Sequence, residues 1–267
     1  MPLRACEVMG KLVHAELVKV GRSLLPWVLG SFLVLVDAFL FVDFTSRDSS
    51  VFEPSLLPLG QVASLFLGVM LATVNVIPAV LIGCSIGGRD YGSRTAGSVA
   101  HWGGRYRPLV AKVVVTVFVL GIVVMATALL GFVLGLVYDT SVARVDFTRL
   151  MAQTGIVFLA TAMLGVLALT VAMLVRSVAL GNVICLVVLL GQMFVPGAAG
   201  RALGFVNPLT LLGVFAGPAF SNMNTLVNVV LAFDSDITAG RSVIGLGVYL
   251  TCCLVVLGVV ARFREYR

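Results

Sequence analysis

Apolar residues in this chain fall in long unbroken blocks, separated by short polar stretches that carry nearly all of the charge. Crossing about 30 Å of hydrocarbon takes roughly 20 residues of helix, and six blocks are that long or nearly so. They run from about Pro26 to Phe44, Leu59 to Ile86, Leu109 to Tyr138, Met151 to Val175, Val178 to Val195 and Val243 to Ala261. The third is long enough to tilt or to project past the bilayer. Strands of a membrane barrel would be about half as long, with apolar and polar positions alternating, and no such alternation occurs. The pattern therefore predicts an all-α polytopic integral membrane protein, residues 1–267 forming one transmembrane domain.

Two further regions depart from the block pattern. Between Arg4 and Leu24, Met9, Leu12, Val13, Leu17, Val20 and Leu24 recur at helical spacing while Arg4, Glu7, Lys11 and His14 line another face. This predicts an amphipathic helix lying in the inner interface or extending the first span into the cytosol. From Leu203 to Phe233 the chain is apolar, but Pro208, Pro218 and Ser221-Asn222-Met223-Asn224 cut it into pieces too short to span. One or two short helices dipping into the outer leaflet are expected there.

Composition agrees with this reading: 60% hydrophobic and 11% charged residues leave too little polar surface for a water-soluble globule of 267 residues. Charge then sets the orientation, because Lys and Arg stay on the cytoplasmic side. With the N-terminus inside, Arg4, Lys11, Lys19, Arg22, Arg89, Arg94, Arg105, Arg107, Lys112, Arg176, Arg262, Arg264 and Arg267 all face the cytoplasm. Only Arg47, Arg144, Arg149, Arg201 and Arg241 fall outside. Both termini are expected to be cytoplasmic, and the net charge of +6 reads as a topology signal, not as a nucleic-acid surface.

Candidate chemistry within the chain is sparse. The two histidines, His14 and His101, both lie near the inner surface, and no span carries a pair of acidic or histidine ligands, so neither an intramembrane metalloprotease nor a serine dyad is expected. The five cysteines have neither zinc spacing nor an extracellular pairing pattern and read as small packing residues. No metal site is expected. No phosphate-binding loop is present, so the chain is expected to be no enzyme and to hold no nucleotide of its own. Asp37 is the one charge well inside a predicted span, which marks it either as part of a polar pathway or as a neighbour of Asp43 near the outer headgroups. Gly131 and Gly135 form a GxxxG pair on the third span that suits close helix approach. Pro78 should bend the second span, through packing or gating.

The longest polar stretch, Gly87 to Lys112, follows the second span. Gly87-Gly88 is expected to release the chain, Ser93 to cap a short cytosolic helix, and Gly103-Gly104 to end it, giving a loop over 87–108. Arg105, Arg107 and Lys112 are then placed at the inner end of the third span, within reach of phospholipid headgroups or an acidic partner.

On these residues the chain resembles the membrane subunits of ABC exporters of the type-2 permease class. The likeness rests on six spans, the basic amphipathic helix before them, and the segment Asp90-Tyr91-Gly92-Ser93-Arg94-Thr95 followed by Arg105 or Arg107 and then Lys112. "AELVKVGRS", Ala15 to Ser23, is similar to the opening of permeases of the bacitracin and lantibiotic immunity type, and the turn "LVRSVAL", Leu174 to Leu180, also fits. Asp90 stands where the family usually has Glu, and its Gly-Thr pair is here Gly92-Ser93 with Thr95 displaced.

The resemblance implies a multi-pass subunit of a bacterial plasma membrane, paired with a second permease as a homo- or heterodimer. It also implies an ATP-binding cassette ATPase that supplies Mg-ATP chemistry in a separate subunit. The loop residues Asp90, Gly92, Ser93, Arg94, Thr95, His101, Trp102, Arg105, Arg107 and Lys112 would couple to that ATPase, and the cargo would be an amphipathic or hydrophobic molecule such as an antimicrobial peptide, lipid or drug. Two other classes compete: a scaffold or sensor subunit without a transport cycle, and a secondary transporter with Asp37 as its proton site. The latter would bring an internal repeat, and the first three spans do not match the last three.

Overall fold

The computed structural model describes residues 2–23, 28, 31, 35, 75–92, 106–138, 147–190, 211 and 239–263. All regular structure among them is helical, in six helices: α1 (Pro2–Gly21), α2 (Val76–Gly92), α3 (Arg107–Tyr138), α4 (Phe147–Val175), α5 (Val178–Leu190) and α6 (Ala239–Phe263). Three of them, α3, α4 and α6, contain stretches long and apolar enough to cross a membrane. The expected first span and the 203–233 region lie almost entirely outside the described residues, as does Asp37.

Helix α2 is buried along most of its length and packs on α3, α4 and α5. It begins at Asn75, whose carbonyl accepts the amide of Ala79 at 3.1 Å. Pro78 stands in its first turn, where a missing N–H leaves no intrahelical bond unmade. Ala79, Gly83 and Gly87 then recur every four residues on one face, which lies against α4 in the most extensive pairing among the described helices. Both helices run in the same direction there, since Gly83 faces Gly165 and Ala168 while Gly87, one turn on, faces Leu169. The fit is close: a methyl group on Gly87 would lie 2.6 Å from the Leu169 carbonyl oxygen, and one on Gly83 would run into that of Gly165. In an apolar medium, such close approach is what brings helices together, because lipid offers hydrocarbon equally well.

This packing corrects the reading of Gly87-Gly88 as the point where the chain leaves its helix. α2 continues to Gly92. Gly88 lies against Ser177 and Val178, where a methyl group would come within 2.8 Å of the Val178 amide nitrogen. The two glycines serve close approach to α4 and α5, and the chain stays helical through the first six residues of the expected loop.

The turn from α4 into α5 matches the expected short connection. Arg176 takes a left-handed conformation with φ of 59° that ends α4. Ser177 then opens α5: its carbonyl accepts the Gly181 amide and its hydroxyl accepts the Leu180 amide. Threonines along the apolar helices bond their own backbone, as in Thr116 to Lys112, Thr161 to Val157 and Thr170 to Val166, so no buried hydroxyl among these requires a partner from another helix.

Helix α1 forms where the amphipathic pattern predicts. Its apolar face is turned to protein: Val13 and Leu17 pack on the core, Val20 belongs to it, and the helix lies chiefly along α3. Glu7, Lys11 and His14 stay exposed, with Lys11 and Glu7 paired across one turn at 2.7 Å.

Candidate functional site

Glu16 sits on the docked face of α1 yet is only 5% exposed. A carboxylate in such a position requires compensation, because an unpaired buried charge is strongly unfavourable. Lys19, one turn on, supplies it: its Nζ donates to Glu16 Oε1 at 2.8 Å and to Asp90 Oδ1 of α2 at 3.2 Å. The other carboxylate oxygen of Asp90 faces the Lys112 Nζ of α3 at 2.9 Å, and that ammonium also donates to the Ile86 carbonyl at 2.7 Å. Four charges from three helices thus form one chain, Glu16–Lys19–Asp90–Lys112, with formal charges that cancel.

The end of α1 is held by the same helix that carries Asp90. Arg89 Nη1 donates to the Lys19 carbonyl at 2.7 Å, while Ser23 closes the Val20 carbonyl through its hydroxyl and its amide. The last carbonyls of a helix have no intrahelical donor, and a guanidinium offers both a hydrogen bond and a favourable charge there.

Asp90 feels two opposing influences. Burial favours its neutral form, but Lys112 first and Lys19 next outweigh that, and the carboxyl is held below its ordinary range. For Lys19 burial likewise opposes the charge, yet Glu16 and then Asp90 raise its pKa above the ordinary value. Beside the chain of charges, the Arg176 guanidinium lies 6.0 Å from the centre of the Tyr91 ring, which brings the α4–α5 turn to the same end of the bundle.

Of the residues singled out by the sequence, Asp90 and Lys112 come together here. They are buried, which corrects the expectation that Lys112 reaches headgroups or an acidic partner: its partner is Asp90. Gly92 closes α2, and Arg107 opens α3 with its side chain exposed. Ser93, Arg94, Thr95, His101, Trp102 and Arg105 lie outside the described residues. Gly131 and Gly135 both lie on α3.

Sequence reasoning passed over Glu16, Lys19 and Arg89 as site residues, and over the Gly83–Gly87 pair. The signals were present: Glu16 interrupts the apolar face formed by Leu12, Val13, Leu17 and Val20, and Gly83–Gly87 is itself a GxxxG pair.

A second feature is an open groove of about 1070 Å³ between α3 and α4, walled by Phe118, Ile122, Met125, Leu129, Met151 and Phe158 among others. Among the described residues its one hydroxyl, that of Thr154, is bonded back to Leu150, so the groove presents an almost wholly apolar wall. Among the described residues no group of three or more His, Cys, Asp or Glu side chains is placed to hold a metal ion. Comparison with known proteins finds no family model and no curated protein that matches this chain.

Proposed function

We propose that this chain is the membrane-spanning subunit of an ATP-driven exporter of the type-2 permease class, with six spans and both termini in the cytoplasm. The observation that carries the reading is the meeting of the two segments on which the resemblance rests. Glu16 and Lys19 of "AELVKVGRS" bond to each other, and Lys19 bonds to Asp90 of the acidic segment after the second span, which in turn bonds to Lys112. Segments 71 residues apart in sequence are joined at one end of the bundle.

On this reading the loop that follows Gly92 faces the cytoplasm and docks on a separate ATPase, with Ser93 to Trp102 as the contact. Asp90 and Lys112, being buried, act behind that contact and not within it. Mg-ATP belongs to the partner, since the chain has no phosphate-binding loop. A second permease subunit completes the pathway, and the uncharged groove between α3 and α4 supports an amphipathic or hydrophobic cargo entering from the membrane.

The test is purification from native membranes in mild detergent. An ATP-hydrolysing subunit should accompany the chain, and deletion of Ser93 to Trp102 should release it while the membrane subunit remains monodisperse. Absence of any bound ATPase, or retention of the ATPase by the deletion variant, would overturn the proposal.

A further inference from the structure

Asp90 and Lys112 stand on either side of the segment that connects α2 to α3, and their ion pair closes that segment at its base. Asp90 has a second partner, Lys19, which belongs to neither helix. Arg89, its neighbour in sequence, holds the backbone of the same α1 turn through the Lys19 carbonyl. The last turn of α2 therefore grips α1 by a side chain and by its backbone, and grips α3 by a third bond.

We infer that Asp90 is a positioning residue that makes α1, α2 and the start of α3 move as one unit, so that displacement of the connecting segment is transmitted to α1. Among the described residues Asp90 is the one carboxylate bonded to both Lys19 and Lys112, so removing its charge opens both junctions together. Lys112 is buried and Lys19 is half-buried, so neither ammonium gains full hydration when Asp90 is lost. The face of α1 that carries Glu16 is the face turned to the bundle, so once Lys19 is freed the Glu16–Lys19 pair no longer has any ionic tie to α2. Through these bonds α1 becomes a lever at the end of the bundle. The mechanical part of this inference stands on the geometry alone; that an ATPase supplies the displacement rests on the function proposed above.

Hydrogen exchange read by mass spectrometry on the full-length protein in nanodiscs tests it. Asp90→Asn should speed exchange at least tenfold in both the C-terminal half of α1 and the first turns of α3, with α4 and α5 unchanged. Lys19→Met should speed exchange in α1 only, and Lys112→Met at the start of α3 only. The exchanged pair Asp90→Lys with Lys112→Asp should restore protection to α3 but leave α1 loose, because Lys19 then faces a second cation. Unchanged α1 exchange in both Asp90→Asn and Lys19→Met would overturn the inference. So would α1 protection fully regained in the exchanged pair.

Should Asp90→Asn fail to fold, the Lys19→Met result decides. In the complex with its ATPase, Mg-ATP should alter α1 exchange in the wild type and alter it much less in Lys19→Met with the ATPase still bound, where the Arg89 bond to the α1 backbone alone remains. An equal nucleotide response in both would overturn the lever role. If no ATPase accompanies the chain, the proposed function falls while the nucleotide-free measurements still judge the clasp.

Discussion

Helices α4 and α6 are nearly equal in hydropathy, yet 67% of the apolar window of α4 is buried in the protein and only 17% of that of α6. The difference lies in side-chain size and register. α4 presents Ala160, Gly165, Ala168 and Ala172 to its neighbours, and α2 answers with Ala79, Gly83 and Gly87, so the two backbones meet. α6 touches α4 with little more than Leu246, Leu257 and Val260 buried, and exposes Ile244, Val248, Leu254, Val255 and Val259. Hydropathy alone does not distinguish a helix enclosed by protein from one facing a hydrocarbon medium, because both are equally apolar; the spacing of small residues does.

The most severe way to break this contrast is to thicken the α2–α4 seam. Gly87→Val places a branched side chain where even a methyl group would sit 2.6 Å from a backbone oxygen, and the obstacle is main chain that no rotamer change removes. Overpacking of this kind costs about 3 kcal/mol or more. The variant should lose most of its monodisperse peak in detergent chromatography, or melt roughly 6–12 °C lower. Val in place of Gly247 on α6, where nothing lies within 4 Å of an added methyl, provides the control and should elute and melt like the wild type.

A subtler comparison keeps the chemistry constant. Leu169→Ala on α4 empties a fully buried site and should destabilise by about 2–5 kcal/mol. Leu254→Ala on α6 trims a side chain that is 56% exposed, and should remain within about 0.5 kcal/mol of the wild type in the same thermal assay. Equal losses at the two positions would show that α6 is as enclosed as α4 in the assembled protein, and would direct attention to whatever covers it there.

Periodicity made the helices legible because apolar blocks and the amphipathic stripe of α1 are local signals. The α4–α5 turn was legible for the same reason, since one apolar block ends at Val175 and the next begins at Val178; the cap by Ser177 was not. The seam was harder to read. Among 28 glycines, Gly131–Gly135 and Gly83–Gly87 have the same spacing, and only the partner helix shows that Gly83 and Gly87 meet a backbone. The charged end was read in halves: Asp90 and Lys112 were singled out as groups facing a partner, whereas each is buried against the other. A loop-flanking charge looks solvated from sequence, and the cations that meet Asp90 come from α3 and from α1, the latter 71 residues away. Glu16 was the available clue, since a carboxylate in an apolar stripe must find a cation.

The charged end of the seam also separates the two regions in their response to pH. The described outer face of α6, from Val243 to Val260, carries no carboxylate that could take up a proton, so as pH falls only the clasp should respond. Asp90 is held below its ordinary pKa of 3.8, so its contribution is complete above that value and is lost as pH falls through the lower folded-state pKa. Lys19 is raised above its ordinary 10.5, so its contribution is complete below that value and is lost as pH rises through the higher folded-state pKa. Between the two reference values neither group changes charge, and the distance between spin labels on α1 and the start of α3 should stay constant there. Below that window the label distance should lengthen as Asp90 takes up a proton and releases Lys19 and Lys112 together. A distance that shifts near neutral pH would mean that a group outside this chain of charges holds α1 in place.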